Sequence, residues 1–228
     1  GATLAPVRRP VEGCFYFVLS VGGVKIGLAN RKMRWRAKTY PVAISRALDA
    51  GRLAALSDTE ADEGEESGFL AGNQMYQDLR ALSWADLAAT IELEAALIAR
   101  LQAADDLDAA AEMLDDERLD VNEPADGLWG LDIGVASAVA AFSVLGGAPV
   151  SSCNAGGVGG TQTAEHPYVP GYLPTATAGA LLKAAEAADV GVATADDGLV
   201  QVFGRIDLDL LRFARAVVEG HGYEQPSA

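Results

Sequence analysis

The sequence contains few of the residues from which disulfide frameworks and zinc sites are built. It has two cysteines, Cys14 and Cys153, and two histidines among 228 residues. Two cysteines are too few for a disulfide framework, and so few thiols and imidazoles leave little material for a zinc site. The 32 acidic residues leave a carboxylate-based metal site open, but we predict neither a bound metal nor a cofactor.

Long hydrophobic runs are also absent from the sequence. The longest apolar stretches, such as 135–144, fall well short of the roughly 20 residues that a membrane-spanning helix requires. No charged-then-apolar leader opens the chain. We therefore expect a cytoplasmic protein with no membrane segment, and its 50% hydrophobic content predicts a sizeable folded core.

Basic residues are scarce beyond the first quarter of the chain. Residues 1–52 contain ten Lys and Arg against two acids, a net charge of +8, whereas residues 53–228 carry a net charge of −23. Since opposite charges attract, we expect the basic part to dock on the acidic part. A nucleic-acid surface is the alternative. Alanine richness and an excess of Arg over Lys are typical of a GC-rich bacterial genome, which raises arginine content without a functional reason.

The basic N-terminal part is predicted to begin as a β-hairpin over 14–29, with its turn at Gly22-Gly23. A third strand follows, in which a period of two places four basic side chains on one face: Lys32, Arg34, Arg36 and Lys38. Such a face could follow a phosphate backbone while an aromatic ring stacks on a base. The same alternation sends Trp35 to the opposite face, so we expect no nucleic-acid partner and keep that function as an alternative.

The next residues are predicted to complete a small βββα module, residues 1–57. Thr39 and Pro41 suit the start of a helix over 42–50, and Gly51 would end it. Residues 58–72 are acidic and have little apolar character, which favours a solvated linker.

The middle of the chain, residues 73–124, is predicted to be an acidic helical segment. Ser83 and Asp86 form a capping-box pattern ahead of apolar residues that recur at helical spacing up to Leu101. A second acidic helix is predicted from about Asp106 to Arg118. We interpret the acids of both helices as solvated faces.

The C-terminal part, residues 125–220, alternates helices and short strands. Asp132 is predicted to cap a helix that ends at Gly146-Gly147, and 149–153 then reads as a strand that enters a glycine-rich loop. The returning strand begins at His166, and its prolines would confine it to an edge of the sheet: Pro167 and Pro170.

Two further helices and a second hairpin are predicted after this loop. Thr177 opens a helix, 190–203 forms a hairpin around a turn at 195–198, and Asp207 caps a last helix stopped by Gly220. The order of elements predicts an α+β fold class, with a mostly antiparallel sheet covered by helices. We expect the tail, residues 221–228, to be disordered.

The glycine-rich loop is the leading candidate site. Glycines allow several backbone amides to point at one anion, which makes the following residues candidate ligands of a small anion: Ser151, Ser152, Asn154, Gly156, Gly157, Gly159, Gly160 and Thr161. A P-loop requires Lys and then Ser or Thr after its last glycine, and Thr161-Gln162 stands there instead. The nucleotide-binding motif is therefore absent, and a general anion or ligand loop is what the pattern favours.

A thiol-dependent enzyme is the competing hypothesis for the same loop. Cys153 would act as the nucleophile and His166, on the returning strand, as the base that ionises it. One cysteine and one histidine form a small constellation, and each residue also suits a structural role. A buried Cys is often a small apolar side chain.

The C-terminal part resembles a group of uncharacterised bacterial proteins. The residues that carry the resemblance are a helix that begins near 130–136, the Ser151-Ser152-Cys153-Asn154-Ala155-Gly156 strand end, and the strand that starts at His166. A fainter likeness is to the wybutosine-synthesis methyltransferase family, in which a strand also ends in Ser-Ser-Cys. The chain departs from that family after Asn154, where the family carries Ser-Gly-Arg. The resemblance implies a shared local structure and no particular activity.

These observations favour a non-enzymatic binding or protein-interaction module with its site at the 151–166 loop. We expect a protein partner or a second copy of the chain, with a small anionic ligand as the alternative at the loop. The sequence does not decide whether the chain is an enzyme.

Overall fold

The computed structural model describes residues 37–73, 76–104, 128–157 and 164–222. Several sequence predictions lie outside the described residues: the hairpin at 14–29, the helix at 106–118, Lys32, Arg34, Arg36, Gly159, Gly160 and Thr161.

The described residues form α-helices and one five-stranded sheet. The helices are α1 (Asp58–Ser67), α2 (Trp84–Ala103), α3 (Ala136–Val144), α4 (Ala178–Ala188) and α5 (Asp209–His221). The strands are β1 (Arg46–Ala47), β2 (Ala148–Pro149), β3 (Tyr168–Tyr172), β4 (Gly191–Thr194) and β5 (Val200–Phe203). In the sheet their order is β1-β4-β5-β3-β2. Only the β1–β4 pair is parallel, so the sheet is mixed and mostly antiparallel.

The main core lies between four helices and one face of this sheet. Val169, Val202 and Val192 are in register across β3, β5 and β4, and all three are fully buried. Paired residues project to the same side of a sheet, and this side packs against the apolar residues of α2, α3, α4 and α5. We call it the helix face. The predicted α+β fold class is confirmed.

The opposite face of the sheet, the outer face, carries aromatic side chains. Tyr168, Phe203 and Gly191 form its in-register row. A Cβ on Gly191 would lie 2.1 Å from the Phe203 ring, so the ring fits only because this residue is glycine. A second, smaller core consists of Leu70, Tyr76 and Val150, and Tyr172 of β3 packs against it.

The helices and the hairpin that the strongest local sequence patterns predict are confirmed. The Ser83 and Asp86 capping box begins α2, which runs as predicted. Helix α4 begins directly after Thr177. β4 and β5 form the predicted hairpin, whose turn closes through a hydrogen bond from Gly198 N to Ala195 O of 3.0 Å.

The helix predicted over 42–50 is wrong. Residues 46 and 47 form β1, which pairs with Val192 and Ala193 of β4. Val192 N donates to Ser45 O at 2.8 Å. Pairing to a distant strand outweighs local helix propensity here, and it places part of the predicted N-terminal module in the sheet of the C-terminal part.

The acidic stretch predicted to be a linker, residues 58–72, contains α1. Ser57 accepts a hydrogen bond from Glu60 N, and the Glu60 side chain returns to Ser57 N at 3.0 Å, which completes a capping box. Ala61 and Gly64 are its buried residues. The sequence signal was the Ser-x-x-Glu spacing, which the high charge of the segment obscured.

Asp132 does not cap the helix predicted to follow it. α3 begins at Ala136, four residues later, and the carboxylate of Glu94 on α2 accepts its first amides. The cap therefore comes from another helix, which a local pattern does not reveal.

Three further predictions in the C-terminal part are also corrected. The N-cap of α5 is Leu208 rather than Asp207, and α5 ends at His221 before Gly222, not at Gly220. β3 is not an edge strand, because it lies between β5 and β2. Pro170 turns its carbonyl toward Val150 N, at 2.9 Å, so its missing amide faces the two-residue β2 and leaves the ladder to β5 intact.

Candidate functional site

The described part of the glycine-rich loop is a tight turn over 154–157. Gly157 N donates to Asn154 O at 3.0 Å, and the two central residues both have positive φ: +56° at Ala155 and +70° at Gly156. Positive φ at both positions is the requirement of a type I′ turn. Gly156 meets it without strain, whereas an L-residue such as Ala155 adopts it at a cost of about 1 kcal/mol.

Asn154 holds this turn in place. Its side chain is buried, its Nδ2 donates to Ile133 O at 3.1 Å, and its Oδ1 accepts from Gly156 N at 3.1 Å. These bonds link the turn to the segment that enters α3. The side chain predicted to bind a ligand is therefore engaged in fixing the loop.

The amides of the described turn are also engaged. Ala155 N donates to Cys153 Sγ at 3.3 Å, Gly156 N to Asn154 Oδ1, and Gly157 N to Asn154 O. An anion cradle needs amides that point outward, and these three point inward. Ser151 and Ser152, which precede the turn, are half-buried.

The segment 37–40 forms the second wall of the site. Thr39 pairs with Ile206 as an isolated antiparallel bridge. The Asp207 carboxylate accepts from Lys38 N at 2.8 Å and from the Tyr40 hydroxyl at 2.8 Å. Asp207 therefore joins the start of the described chain to the loop before α5.

Gly157 permits the close approach of the turn to this wall. A Cβ on Gly157 would lie 2.4 Å from Asp207 Oδ1. Its φ is not positive, so the requirement for glycine here is one of space. Asp207 and the turn are thus packed directly against each other.

Tyr40 is a buried, neutral hydrogen-bond donor at the centre of the site. Burial raises the pKa of its phenol above the ordinary value, and the hydrogen bond to Asp207 and the charge of that carboxylate raise it further. The hydroxyl also lies 3.3 Å from Asn154 O. Sequence reasoning missed Tyr40 and Asp207 as site residues, because Asp207 was interpreted as a helix cap.

Lys38 is the one predicted nucleic-acid residue that the structure describes. Its Nζ donates to Ala155 O at 3.1 Å and lies 4.6 Å from the centre of the Tyr40 ring. The lysine thus places a cationic group at the turn, and the same group makes a cation–π contact with the Tyr40 ring. The nucleic-acid function stays a prediction.

Cys153 lies at the inner end of the turn. It is fully buried, and it exchanges two backbone hydrogen bonds of 3.0 Å with Tyr168 of β3. It is a thiol rather than half of a disulfide. Tyr40 is close enough for the charge of a Cys153 thiolate to raise the pKa of the phenol.

His166 lies two residues before Tyr168, next to the aromatic row of the outer face. The centre of its ring is 5.2 Å from that of Phe203 and 6.1 Å from that of Tyr168. Its Nδ1 is screened from solvent and has no hydrogen-bond partner among the described residues. Burial lowers its pKa below the ordinary value, while the charge of Glu165 acts in the opposite direction. Neutral imidazole is therefore the form present near pH 7.

The structure brings Cys153, Asn154, Gly156 and Gly157 into one turn and adds Lys38 to it. No family model, no curated protein and no solved structure matches this chain. Within the described ranges, no helix is both long and apolar enough to cross a membrane, and no three side chains of His, Cys, Asp or Glu group as ligands for a metal ion.

Proposed function

We propose that this chain is a non-enzymatic binding protein whose contact site is the 151–166 loop together with Lys38 and Tyr40. The observation that carries the proposal is the Asp207 carboxylate, which fixes the backbone of Lys38 and the hydroxyl of Tyr40 against the turn. A surface that is already ordered loses little conformational entropy on association. That property suits recognition.

The surroundings of Cys153 favour binding over thiol catalysis. Reactive cysteines lie in electropositive, partly exposed places. Cys153 is fully buried, and its sulfur already accepts the amide of Ala155. Tyr40 lies close to Cys153, and its hydroxyl donates to the Asp207 carboxylate. These are the surroundings of a structural thiol.

The group that this site offers to a partner is the Lys38 ammonium. It is exposed, and one of its hydrogen bonds goes to a backbone carbonyl rather than to a carboxylate. Within the described residues it forms no ion pair, and it lies at the surface of the turn. We propose that the ligand presents an anionic group there, either on a protein partner or as a small anion.

Thiol labelling of the full chain tests the non-enzymatic part of the proposal. In a Cys14→Ser variant, iodoacetamide should modify Cys153 only as fast as the protein unfolds, with no acceleration at neutral pH. The Cys14→Ser/Cys153→Ser variant gives the background. Rapid modification of the folded protein near pH 7 would instead support the thiol-dependent enzyme.

An anion titration tests the contact site itself. Inorganic phosphate and acetate are added to the full chain labelled with ¹⁵N, and amide resonances are followed by NMR. We expect shifts at residues 151–157 that are lost in Lys38→Ala and kept in Lys183→Ala, an exposed lysine of α4. Shifts that survive Lys38→Ala would place the anion elsewhere and contradict the proposed role of the lysine.

A further inference from the structure

One backbone peptide group lies between the α2–α3 contact and the candidate site. It is the group that joins Ile133 to Gly134. Its N–H, that of Gly134, donates to the Glu94 carboxylate at 2.7 Å, and its carbonyl, that of Ile133, accepts from Asn154 Nδ2 at 3.1 Å. Both hydrogen bonds are buried. Because the N–H and C=O of a trans peptide point in opposite directions, the group is held from both sides.

The hydrogen bonds continue through the turn. The side-chain amide of Asn154 donates through Nδ2 and accepts through Oδ1, from Gly156 N at 3.1 Å. The Ala155 carbonyl belongs to the same peptide group as Gly156 N, and it accepts from Lys38 Nζ at 3.1 Å. Four hydrogen bonds and three amide groups therefore connect the Glu94 carboxylate to the Lys38 ammonium. We call the three groups the amide chain.

All members of the amide chain point the same way. Each donates its N–H toward Glu94 and accepts at its carbonyl from the side of Lys38. An amide that donates becomes a stronger acceptor, so the hydrogen bonds of such a chain strengthen one another. The carboxylate lies at the N–H end and the ammonium at the carbonyl end, where each makes a charge-assisted hydrogen bond.

We propose that Glu94 is a positioning residue for the contact site, because through the amide chain it fixes the Ala155 carbonyl that holds the Lys38 ammonium. This inference rests on the function proposed above for Lys38. Glu94 lies on α2 and is fully buried, so it does not touch a partner at the surface. Its effect on binding passes through the turn.

A held ammonium is better suited to binding than a free one. A long, flexible lysine side chain loses rotamer freedom when a contact fixes it. Lys38 is held by the Ala155 carbonyl before a partner arrives, so less freedom is lost on association. The strength of that carbonyl as an acceptor, to which the amide chain adds, thus contributes to affinity.

The first test starts from Lys38, at the exposed end of the amide chain. Lys38→Met keeps the length of the side chain and removes the ammonium. NMR spectra of the ¹⁵N-labelled full chain are recorded without ligand. We expect the proton resonances of Gly156 N, Asn154 Nδ2 and Gly134 N to move upfield, because each hydrogen bond weakens in turn. Lys183→Met, at an exposed position of α4, should leave all three unchanged.

The second test starts from Glu94, at the buried end. Glu94→Gln keeps the shape of the side chain and removes its charge. It should move the Gly156 and Asn154 Nδ2 resonances upfield and accelerate hydrogen exchange at Gly156 by about tenfold, as expected for the loss of roughly one hydrogen bond. Leu97→Ala is the matched control, because Leu97 is a buried residue of the same helix that packs in the main core. It should leave the Gly156 and Asn154 resonances in place, and exchange in α5 reports the global loss of stability in either variant.

Two results would overturn the inference. One is a Gly134 resonance that stays in place in Lys38→Met, a variant of an exposed residue that decides the matter even if Glu94→Gln does not fold. The other is a change at Gly156 that is as large in Leu97→Ala as in Glu94→Gln. Circular dichroism verifies that each variant compared is folded.

Phosphate affinity separates the inference from the proposed function. Glu94→Gln should weaken the binding of inorganic phosphate at residues 151–157 by about two- to tenfold, the factor for fixing one side chain on association. The loss of a negative charge alone would strengthen it, so the sign distinguishes positioning from charge. If phosphate shifts no resonance of the unmodified chain, the proposed function is wrong, and the role of Glu94 in binding with it. Phosphate binding together with unchanged Gly156 and Gly134 resonances in the variants would overturn the inference alone.

Discussion

At the residue scale, the candidate site depends on side chains that hold one another rather than on groups left free for chemistry. The Asn154 side-chain amide bonds to Ile133 and Gly156, and the Asp207 carboxylate accepts from Lys38 and Tyr40. Gly157 has no Cβ and so leaves room for that carboxylate. The bonds from Asn154 Nδ2 to Ile133 O and from the Tyr40 hydroxyl to Asp207 are buried, so the loss of either leaves a buried polar group unpaired.

The close contact of Gly157 with Asp207 gives a test of this packing. Gly157→Ala should destabilise the protein by about 1 to 3 kcal/mol, because the new methyl group overlaps the Asp207 carboxylate. Gly179 is an exposed helical glycine with nothing near its Cβ position, so Gly179→Ala should stabilise by about 0.5 kcal/mol. Urea unfolding of both variants measures the contrast. Equal effects would mean that the turn and Asp207 are not packed together.

Tyr40 predicts how stability depends on alkaline pH. In the unfolded chain its phenol ionises near pH 10, whereas in the folded protein burial and Asp207 raise the pKa well above that value. High pH therefore favours the unfolded state. The contribution is complete below about pH 10 and falls above it, by about 1.4 kcal/mol per pH unit for one such proton.

The variant Tyr40→Phe isolates this contribution. Burial also raises the pKa of Tyr76, to about 12, so part of the alkaline loss remains in the variant. We expect lower stability at pH 7, by about 1 to 3 kcal/mol, since Asp207 loses a donor, and a shallower decline between pH 10 and 11.5. Urea unfolding across that range measures both quantities. An unchanged slope would show that Tyr40 ionises normally.

At the scale of elements, the sequence predicts a helix start where the capping groups are close together along the chain, and it does not where the cap comes from another helix. Ser83 with Asp86 predicts α2 because all the interacting groups lie within four residues. Ser57 with Glu60 offers the same local information for α1. The start of α3 cannot be found in this way, because its cap is Glu94, some forty residues earlier and on another helix. Likewise, only pairing with β4 makes residues 46 and 47 a strand.

The same difference between local and long-range contacts applies to the candidate site. The turn residues were identifiable, because glycines in a short segment signal positive φ and close approach. Tyr40 and Asp207 were not, since they are separated by more than 160 residues and meet only through the bridge between Thr39 and Ile206. Local patterns located the loop, and long-range packing supplied its second wall.

Glu94 predicts a large effect of one substitution on the α2–α3 pair. The carboxylate is fully buried and accepts amides from Gly134, Ala136 and Ser137 at 2.7 to 3.1 Å. Burial raises its pKa, while these donors act in the opposite direction. Glu94→Ala leaves the amides unpaired in an apolar interior, and we expect a loss of about 3 kcal/mol or more.

Two further variants of the same helix separate the hydrogen bonds from the shape of the side chain. Glu94→Gln keeps the volume and one carbonyl acceptor, so its loss should be intermediate. Glu92→Gln, at an exposed position of α2, should change the free energy of unfolding by no more than about 0.5 kcal/mol. Urea unfolding ranks the three. A small effect of Glu94→Ala would show that water caps α3 instead.

At the scale of the whole molecule, two cores of unequal size predict an uneven distribution of stability. The main core joins α2, α3, α4, α5 and the helix face of the sheet. The smaller cluster, which includes residues next to α1, has three buried members, Leu70, Tyr76 and Val150. Within α1 itself only Ala61 and Gly64 are buried. Regions with few buried apolar contacts open at lower free energy than the global transition.

Native-state hydrogen exchange at increasing urea concentrations tests this division. Amides of α1 should exchange through a local opening whose free energy is lower than the opening free energy of the amides of α3 and α5. The free energy of this local opening should depend little on urea, because the opening exposes little surface. Amides of α3 and α5 should exchange only through global unfolding, with the full urea dependence. If α1 exchanges together with α5, the two cores unfold as one unit, and the acidic helix is held by more than the contacts within the described residues.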